Sequence, residues 1–430
     1  MKREPVKIGL IGLGTVGGGV VKILQNNALL IEERLGRQLI LKRVCDLEPK
    51  KAKDLGFDEK IFTKDASEIF EDPEISIVVE VIGGVHPARE YILKAIERGK
   101  HVVTANKEVL AKHGAEFYRL AAEKKVYLLS EGAVAGGIPI LRPLRSSLSA
   151  EEIKEVFGII NGTTNYILSQ MAATGASFEE VLKVAQTMGI AEANPEDDLS
   201  GRDAAYKAVI LATHAFRTVI NFEKVSFEGI SRIEKQDISY AAEFGYTIKL
   251  LAVLRQENEQ QISVMVYPAL VSLNHQLAKV SQHFNAIYVR GSGVGEVMFY
   301  GPGAGALPTG SAVLSDIIEI ANLSGKEYDP TVLPVSGTVK ILKESGEISG
   351  QFYLRLWVSD QVGVLEAIAG VFARQGVSIA AVIQKAVVRE NAEIVILTHE
   401  VKTKNIEKAV AEISKLPTTG SVKNVLRVGI

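Results

Sequence analysis

The stretch "VKIGLIGLGTVGGGVVKIL", from Val6 to Leu24, decides the fold of this chain. An apolar strand runs into a glycine turn of the form G-x-G-x-x-G, and a helix follows directly. In such a unit the glycines let the backbone approach a pyrophosphate, which the helix N-terminus then faces. A glycine-rich packing turn is the alternative, but the flanking strand and helix favour dinucleotide binding. The predicted contacts are Gly12, Leu13, Gly14, Thr15, Val16 and Gly17.

The choice of dinucleotide depends on the end of the second predicted strand, where Asp46 stands. An acidic residue at that position binds the ribose hydroxyls of NAD. Arg43, Lys50 and Lys51 are near it in the sequence, and such cations can bind the 2′-phosphate of NADP instead. The sequence therefore does not decide the cofactor preference, which could be for NAD, for NADP or for either of them.

Apolar strands and helices alternate in the first third of the chain, which is typical of an α/β protein with a Rossmann-type, doubly wound parallel sheet. Within it we expect one long helix at 17–36 and a strand at 126–134. Further on, elements of mixed polarity indicate a second, α+β domain, and after the polar linker 343–351 the order is βαββαβ, the ferredoxin-like pattern. The predicted domains are a dinucleotide-binding domain at 1–135 with a return segment at about 308–343, a catalytic domain at 136–307 and a small third domain at 352–430.

The charge balance and the cysteine content argue against several classes of protein. Lys and Arg number 49 against 51 Asp and Glu, so nothing favours nucleic acid or an anionic membrane surface as a partner. No apolar run approaches the roughly 20 residues needed to cross a bilayer. Cys45 is the one cysteine, so no intrachain disulfide can form, which fits a reducing cytoplasm.

Two lysines are candidates for the chemistry of a nicotinamide enzyme, which needs a group to protonate or deprotonate the reacting oxygen. Lys207 carries the only formal charge between residues 204 and 216, in a predicted helix, and Asp203 stands four residues before it. Lys107 follows a predicted strand, at the sheet edge where ligands bind. A lysine in a partly apolar site can have a lowered pKa and so exchange protons near neutral pH. The alternatives are a surface ion pair for Lys207 and a solvated loop position for Lys107.

The segment before Lys207 is dense in acidic residues, among them Glu192, Asp198 and Asp203. A pocket for the ammonium group of a substrate is one interpretation of this cluster, and a solvated acidic loop is another. A calcium loop is a third, but the spacing lacks the ladder of ligands found in an EF-hand.

Several motifs, in this order, resemble those of homoserine dehydrogenase: GLGTVG, TANKE, EGAVAGGIPI, NGTTNYIL and EANPEDDLSGRDAAYK. The resemblance covers residues 1 to about 345. It implies reversible NAD(P)-dependent reduction of L-aspartate 4-semialdehyde to L-homoserine, in the biosynthesis of threonine, methionine and isoleucine, by a dimer or tetramer. The roles that it implies are catalysis by Lys207 and Lys107, substrate binding by Glu192, Asp198 and Asp203, and cofactor contacts from Thr104, Lys107 and Gly303.

The resemblance implies two further ligands. One is a sodium ion held largely by backbone carbonyls, which leave no side-chain signal in a sequence. The matching positions are Glu131, Val134, Gly136 and Ile138. The other is an amino acid, with L-threonine as the first candidate, because residues 352–430 with "VSDQVGVL" resemble an ACT domain, a small regulatory module. Its expected contacts are Asp360, Gly363, Val364 and Leu365, although the module could instead be purely structural or dimerising.

Two other functions remain in competition with this one. The first is another NAD(P)-dependent amino-acid or aldehyde oxidoreductase that uses its lysines in the same way. The second is a protein that senses nucleotide and amino acid without turnover. A sensor needs no proton donor, so the two lysines and the acidic segment favour an enzyme.

Overall fold

The computed structural model describes residues 4–335, 339–388 and 391–430. Its strands are β1 (Val6–Ile11), β2 (Leu39–Cys45), β3 (Phe62–Thr63), β4 (Ile77–Glu80), β5 (His101–Thr104), β6 (Leu128–Leu129), β7 (Ile153–Ile159), β8 (Ser226–Phe227), β9 (Tyr246–Gln256), β10 (Gln261–Ser272), β11 (Phe284–Gly291), β12 (Gly295–Pro302), β13 (Ile341–Leu342), β14 (Ser349–Ser359), β15 (Ile379–Val388), β16 (Asn391–Thr398), β17 (Val401–Lys402) and β18 (Thr419–Val428). Its helices are α1 (Thr15–Asn26), α2 (Ala28–Leu35), α3 (Pro49–Asp54), α4 (Ser67–Phe70), α5 (Ala88–Glu97), α6 (Lys107–Lys124), α7 (Leu141–Arg145), α8 (Gly162–Thr174), α9 (Phe178–Thr187), α10 (Glu196–Leu199), α11 (Arg202–Phe216), α12 (Lys235–Glu243), α13 (Ala306–Leu323), α14 (Val364–Arg374) and α15 (Thr403–Ile413).

Two compact units divide the chain, termed here the first unit and the second unit. The first comprises the residues up to Lys154 together with Tyr206–Glu223 and Asn285–Lys340. The second comprises Glu155–Ala205, Lys224–Phe284 and Ile341–Ile430. These limits differ from the three expected domains, because the C-terminal segment belongs to the same unit as much of the central segment. The three-domain division stays a prediction.

The first unit is built on a six-stranded sheet of order β3-β2-β1-β4-β5-β6. Neighbouring strands all pair in parallel, and the order confirms the Rossmann-type doubly wound sheet. Ile8 and Leu10 on β1 and Val79 on β4 are fully buried, as expected for strands that are covered by helices on both faces. Val313 and Ile317 belong to the same hydrophobic core, so α13 packs on this sheet.

The second unit contains a mixed sheet in which the strands follow the order β7-β9-β10-β18-β14-β16-β15. Within it, β14, α14, β15, β16, α15 and β18 show the βαββαβ order that the sequence predicts, with only the two-residue β17 added. β18 pairs in parallel with β10, with Ala269 opposite Arg427 and Leu270 opposite Val428. The sheet of the C-terminal segment is therefore continuous with the sheet of the central segment.

Two local predictions are wrong. The expected helix at 17–36 is two helices, α1 and α2, separated at Asn27, whose φ of −113° lies outside the helical range. Asparagine is unfavourable inside a helix because its side chain competes for the backbone hydrogen bonds. The expected strand at 126–134 is reduced to β6 and followed by a 3₁₀ turn at Glu131–Ala133. There the Glu131 carboxylate accepts hydrogen bonds from backbone N–H groups at the start of α7. These bonds agree with a turn at Glu131 in place of an extended strand.

Two further properties of the described residues are the apolar length of the helices and the reactivity of the cysteine. Over the described ranges, no helix combines the length and the apolar character needed to cross a membrane. Cys45 is a free, buried thiol, and burial raises its pKa to about 11. A thiol with so high a pKa is a poor nucleophile near neutral pH.

Candidate active site

The glycine loop lies at the carboxyl end of β1 and leads directly into α1. Gly12 has a φ of +102°, which favours glycine, and its N–H donates to the Cys45 carbonyl at 2.8 Å. A Cβ atom on Gly17 would lie 1.9 Å from the carbonyl oxygen of Gly12, so no larger residue fits there. Gly14 is the N-cap of α1 and offers no side-chain acceptor, which leaves the first amides of the helix available to a phosphate.

Asp46 follows β2 and is bound to the glycine loop. Its Oδ2 accepts a hydrogen bond from the Leu13 N–H at 2.7 Å, and its Oδ1 accepts one from the Glu48 N–H at 2.9 Å. Partial burial opposes ionisation, but these backbone bonds and the nearby Lys51 ammonium lower the pKa of Asp46 overall. An ionised carboxylate therefore stands where a ribose hydroxyl would be bound.

Two of the three cations expected near Asp46, Arg43 and Lys51, differ in their partners. Arg43 donates from Nη1 to the Lys60 carbonyl at 2.9 Å and lies 3.5 Å from a Glu68 carboxylate oxygen. Lys51 places its Nζ 3.4 Å from Asp46 Oδ1. Lys51 is thus the cation next to the expected ribose carboxylate, and a cofactor role for Arg43 stays a prediction.

Several buried polar groups lie together at the carboxyl ends of β4 and β5. One of them is Thr104, which the sequence analysis names as a cofactor contact. The Thr104 hydroxyl donates to Glu80 at 2.7 Å and accepts from the Asn106 N–H at 3.0 Å. Asn106 in turn caps α6 by accepting from the Val109 N–H at 3.2 Å, so that Lys107 is the first residue of this helix. Glu80 is fully buried, and burial raises its pKa although hydrogen bonds from Thr104 and from backbone amides oppose the shift.

The segment that the resemblance assigns to sodium is buried and lies against Gly303. A Cβ atom on Gly136 would be 2.5 Å from the carbonyl carbon of Gly303, so the expected cation segment and the expected cofactor glycine are adjacent. Within the described residues, the carbonyls of Val134, Gly136 and Ile138 accept no hydrogen bond. Such oxygens are suitable donors for a monovalent cation, whereas no cluster of three acidic, histidine or cysteine side chains forms a metal site in the described ranges.

Glu131 itself uses its side chain to hold the start of α7. Its carboxylate accepts hydrogen bonds from the N–H groups of Ile140, of Leu141 at 2.8 Å and of Arg142 at 2.7 Å. Its own N–H donates to Asp316 Oδ2 at 2.7 Å. Burial, together with the charge of Glu131, raises the pKa of Asp316 well above its usual range, which favours a protonated Asp316.

In the second unit, Asn161 joins two of the expected substrate carboxylates. Its Nδ2 donates to Asp198 Oδ1 at 2.7 Å and to Asp203 Oδ2 at 2.8 Å. Its Oδ1 accepts from the Thr164 N–H at 2.9 Å and so caps α8. The structure thus joins Asp198 and Asp203 through Asn161. Glu192 is exposed, and its place in the site stays a prediction.

Helix α11 carries both Asp203 and Lys207. Asp203 is 4% exposed, whereas Lys207 is half-buried. Because four residues separate them, both side chains lie on one face of the helix. The helix otherwise has a buried, apolar surface, with Ala205, Ala208 and Leu211 fully enclosed.

The loop between β14 and α14 has a small cavity of about 240 Å³. Gly363, with a φ of +90°, is the N-cap of α14, and Asp360 accepts a hydrogen bond from Gln384 Nε2 at 3.2 Å. Val364 is buried whereas Leu365 is exposed. The cavity is lined by the residues that the ACT resemblance indicates.

Family models match three successive parts of the chain. Residues 12–131 match the homoserine dehydrogenase NAD-binding domain, residues 139–318 match homoserine dehydrogenase, and residues 352–418 match the ACT domain. A homoserine dehydrogenase of Neisseria gonorrhoeae is 45% identical over 419 residues, which are 96% of each chain. The chain belongs to the homoserine dehydrogenase family. It is therefore an oxidoreductase with a nicotinamide-cofactor domain.

Solved structures of homoserine dehydrogenases share this fold. A homoserine dehydrogenase from Thiobacillus denitrificans is 40% identical with a TM-score of 0.94, and the match covers 100% of this chain and 99% of that one. A hyperthermophilic archaeal homoserine dehydrogenase mutant, solved in complex with NADPH, is 27% identical with a TM-score of 0.63. That match covers 74% of this chain and 97% of the archaeal one.

Three buried polar residues of the candidate site were missed by sequence reasoning. Glu80 ends a strand of otherwise apolar residues, and that single charge was a usable signal. Asn161 lies in the NGTTNYIL motif, but an amide gives no indication of its partners. Asp316 stands in the apolar helix α13, more than 180 residues from Glu131, so no local pattern could pair them.

Proposed function

We propose that the chain catalyses the reversible NAD(P)-dependent reduction of L-aspartate 4-semialdehyde to L-homoserine. The observation that carries this proposal is the pairing of Asp198 and Asp203 through Asn161. On α11, Asp203 lies one helical turn before Lys207. Adjacent carboxylates suit the ammonium group of an amino-acid substrate. A half-buried lysine suits proton transfer to an aldehyde oxygen.

In this reaction the chain's own residues would transfer a proton, stabilise charge and bind the substrate. The nicotinamide, when bound, supplies or accepts the hydride at the carbonyl carbon. Lys207 donates a proton to the oxygen of the forming alkoxide and takes it back in the oxidative direction. Lys107, at the start of α6, adds positive charge that stabilises the alkoxide. Asp203 orients Lys207 from the preceding turn and, together with Asp198 and Glu192, binds the substrate ammonium.

We propose that both NAD and NADP are accepted. Asp46 is ionised and fixed by the Leu13 amide, which supports binding of ribose hydroxyls. Lys51 lies beside it, which supports binding of a 2′-phosphate. A sodium ion is proposed at the free carbonyls of Val134, Gly136 and Ile138, where it would stabilise the segment packed against the cofactor glycine.

Regulation is proposed at the loop between β14 and α14. Its small cavity would admit L-threonine, with Asp360 near the ammonium and the backbone around Gly363 near the carboxylate. Titration calorimetry of the full chain with L-threonine, with Asp360→Ala as the comparison, tests this. The absence of heat in the unaltered chain would assign the module a structural or dimerising role. Homo-oligomerisation and a cytoplasmic location remain predictions.

The decisive experiment is the rate of nicotinamide reduction with L-homoserine, measured with NAD and with NADP. Turnover with one or both cofactors supports the proposal and ranks the two cofactors. L-Serine serves as a matched control, since it lacks one methylene and should react at least about tenfold more slowly. Protein that binds the dinucleotide, yet shows no turnover of L-homoserine, would favour another amino-acid substrate or a sensor.

A further inference from the structure

A second, larger cavity lies in the second unit, where the C-terminal sheet joins the central sheet. Its volume is about 500 Å³, within the range of cavities that hold small ligands. β8 and β10 form one side, and β14, α15 and β18 form the other. Met265, Val266 and Ile406, all buried, give it an apolar wall. None of these residues belongs to the active site or to the loop between β14 and α14.

Arg427 is one of three cations that line this cavity, with Arg232 and Lys423. Its guanidinium lies 5.1 Å from the ring centroid of Tyr267 and 4.9 Å from that of Phe352, so both rings are within cation–π distance of it. Its Nη2 donates to the Thr403 hydroxyl at 2.6 Å. Within the described part of the chain, no carboxylate comes within ion-pair distance of Arg427. The guanidinium therefore keeps donor capacity for a planar, two-oxygen anion.

Two carboxylates line the same cavity without contacting Arg427. Glu228 stands beside β8 and Glu407 on α15. Desolvation lowers the pKa of Arg427, and Glu407 and Glu228 are close enough to oppose that shift. Desolvation likewise raises the pKa of Glu228 against the charges of Arg232 and Arg427. The cavity thus presents separated positive and negative groups beside an apolar wall.

We propose that this cavity binds a small α-amino acid as its zwitterion. The carboxylate would be bound by Arg427 and Thr403, the ammonium would face Glu228 and Glu407, and the side chain would pack on Met265. Arg232 and Lys423 also line the cavity, so a plain anion such as phosphate is the alternative that the comparison with the amino-less analogue distinguishes. The site would be separate from the loop at Asp360–Leu365, so its existence does not depend on threonine binding there.

The test begins with the full chain and each of the twenty protein amino acids in a thermal-shift screen, followed by titration calorimetry. Ligands that bind the native state raise its melting temperature. The best ligand is then compared with its analogue that lacks the amino group. We expect Glu228→Gln to weaken the amino acid about tenfold or more, since a charge-assisted hydrogen bond is lost. The same substitution should leave the affinity for the amino-less analogue unchanged.

Three variants separate this site from the alternatives. Arg427→Gln should abolish binding, whereas Arg374→Gln, an exposed arginine on α14 paired with Glu412, should not affect it. Asp360→Ala should leave this binding event in place. The proposal is overturned if no amino acid binds, if binding is lost only in Asp360→Ala, or if Glu228→Gln binds as tightly as the unaltered chain. If Arg427→Gln does not fold, the Glu228→Gln comparison decides alone.

Discussion

Arg355 and Asp237 form a buried ion pair that joins β14 to α12, with Arg355 Nε donating to Asp237 Oδ1 at 2.7 Å. Arg355 is 1% exposed and Asp237 is 0% exposed. The guanidinium also donates to Glu393 at 2.9 Å and to Glu234 at 2.7 Å. The pair therefore fixes the first strand of the C-terminal module to a helix of the central segment.

Loss of one partner should destabilise the chain strongly. Arg355→Met leaves Asp237 buried without its cation, so we expect the free energy of unfolding to fall by about 3–5 kcal/mol. The double change Arg355→Met with Asp237→Leu should cost less than the single change, because no charge is left unpaired. Urea unfolding measures both. Arg374→Met is the control, since its pair with Glu412 is exposed and exposed ion pairs add little to stability. If the free energy of unfolding falls equally in Arg355→Met and Arg374→Met, the buried pair does not stabilise the chain more than the exposed pair.

The sequence allowed correct prediction of features that rest on local patterns. The glycine turn from Gly12 to Gly17 and the alternation of strands and helices led to the parallel sheet, because buried parallel strands need apolar runs joined by helices. The βαββαβ order after residue 352 was also predicted. Asp46 directly follows β2 and accepts a hydrogen bond from the Leu13 N–H, and its contact with the cofactor stays a prediction.

Contacts between distant segments were not predictable from one sequence. Arg355 and Asp237 are 118 residues apart, and each looks like an ordinary charged residue in its own element. Likewise, nothing local showed that Asn161 would bridge Asp198 and Asp203. Burial decides the role of such polar groups, and burial of this kind arises only when the elements pack.

The catalytic lysines can be tested directly. Lys207→Ala should lower kcat by about 10²–10⁴-fold, the usual contribution of a positioned acid or base, while the dissociation constant of the dinucleotide stays unchanged. Lys107→Ala should lower kcat as well. Lys124→Ala, an exposed lysine at the end of α6, is the control. Initial rates with L-homoserine and fluorescence titration of the cofactor are the measurements. A Lys207→Ala variant with nearly unchanged turnover would show that Lys207 is not the proton donor.

Cofactor choice should depend on Asp46 and Lys51. Asp46→Ala removes the ribose carboxylate and the acceptor of the Leu13 N–H, so the KM for NAD should rise about tenfold or more. Lys51→Ala should raise the KM for NADP more than the KM for NAD. Lys53→Ala, exposed on the same helix, is the control. Equal effects of Lys51→Ala on both cofactors would show that this lysine does not bind a 2′-phosphate.

His101 should make the chain sensitive to acid. Its Nδ1 accepts a hydrogen bond from the Tyr127 N–H at 3.0 Å, and its ring stacks on Tyr127 with centroids 5.2 Å apart. Burial lowers its pKa to about 4, whereas an unfolded histidine has a pKa near 6.5. The unfolded chain therefore binds the extra proton first, so the stabilisation is complete above pH ~6.5 and is lost as the pH falls towards ~4. The difference between the folded and unfolded pKa values contributes up to about 3 kcal/mol to the free energy of unfolding.

The variant His101→Asn separates this effect from general acid unfolding. Its amide oxygen can accept the Tyr127 N–H but cannot titrate, so the fall in unfolding free energy between pH ~6.5 and ~4 should be smaller than in the unaltered chain. Urea unfolding across that interval measures the slope. His399→Asn, an exposed histidine in the same chain, should leave the slope unchanged. If His101→Asn has the same slope as the unaltered chain, His101 is not the group that is protonated on unfolding.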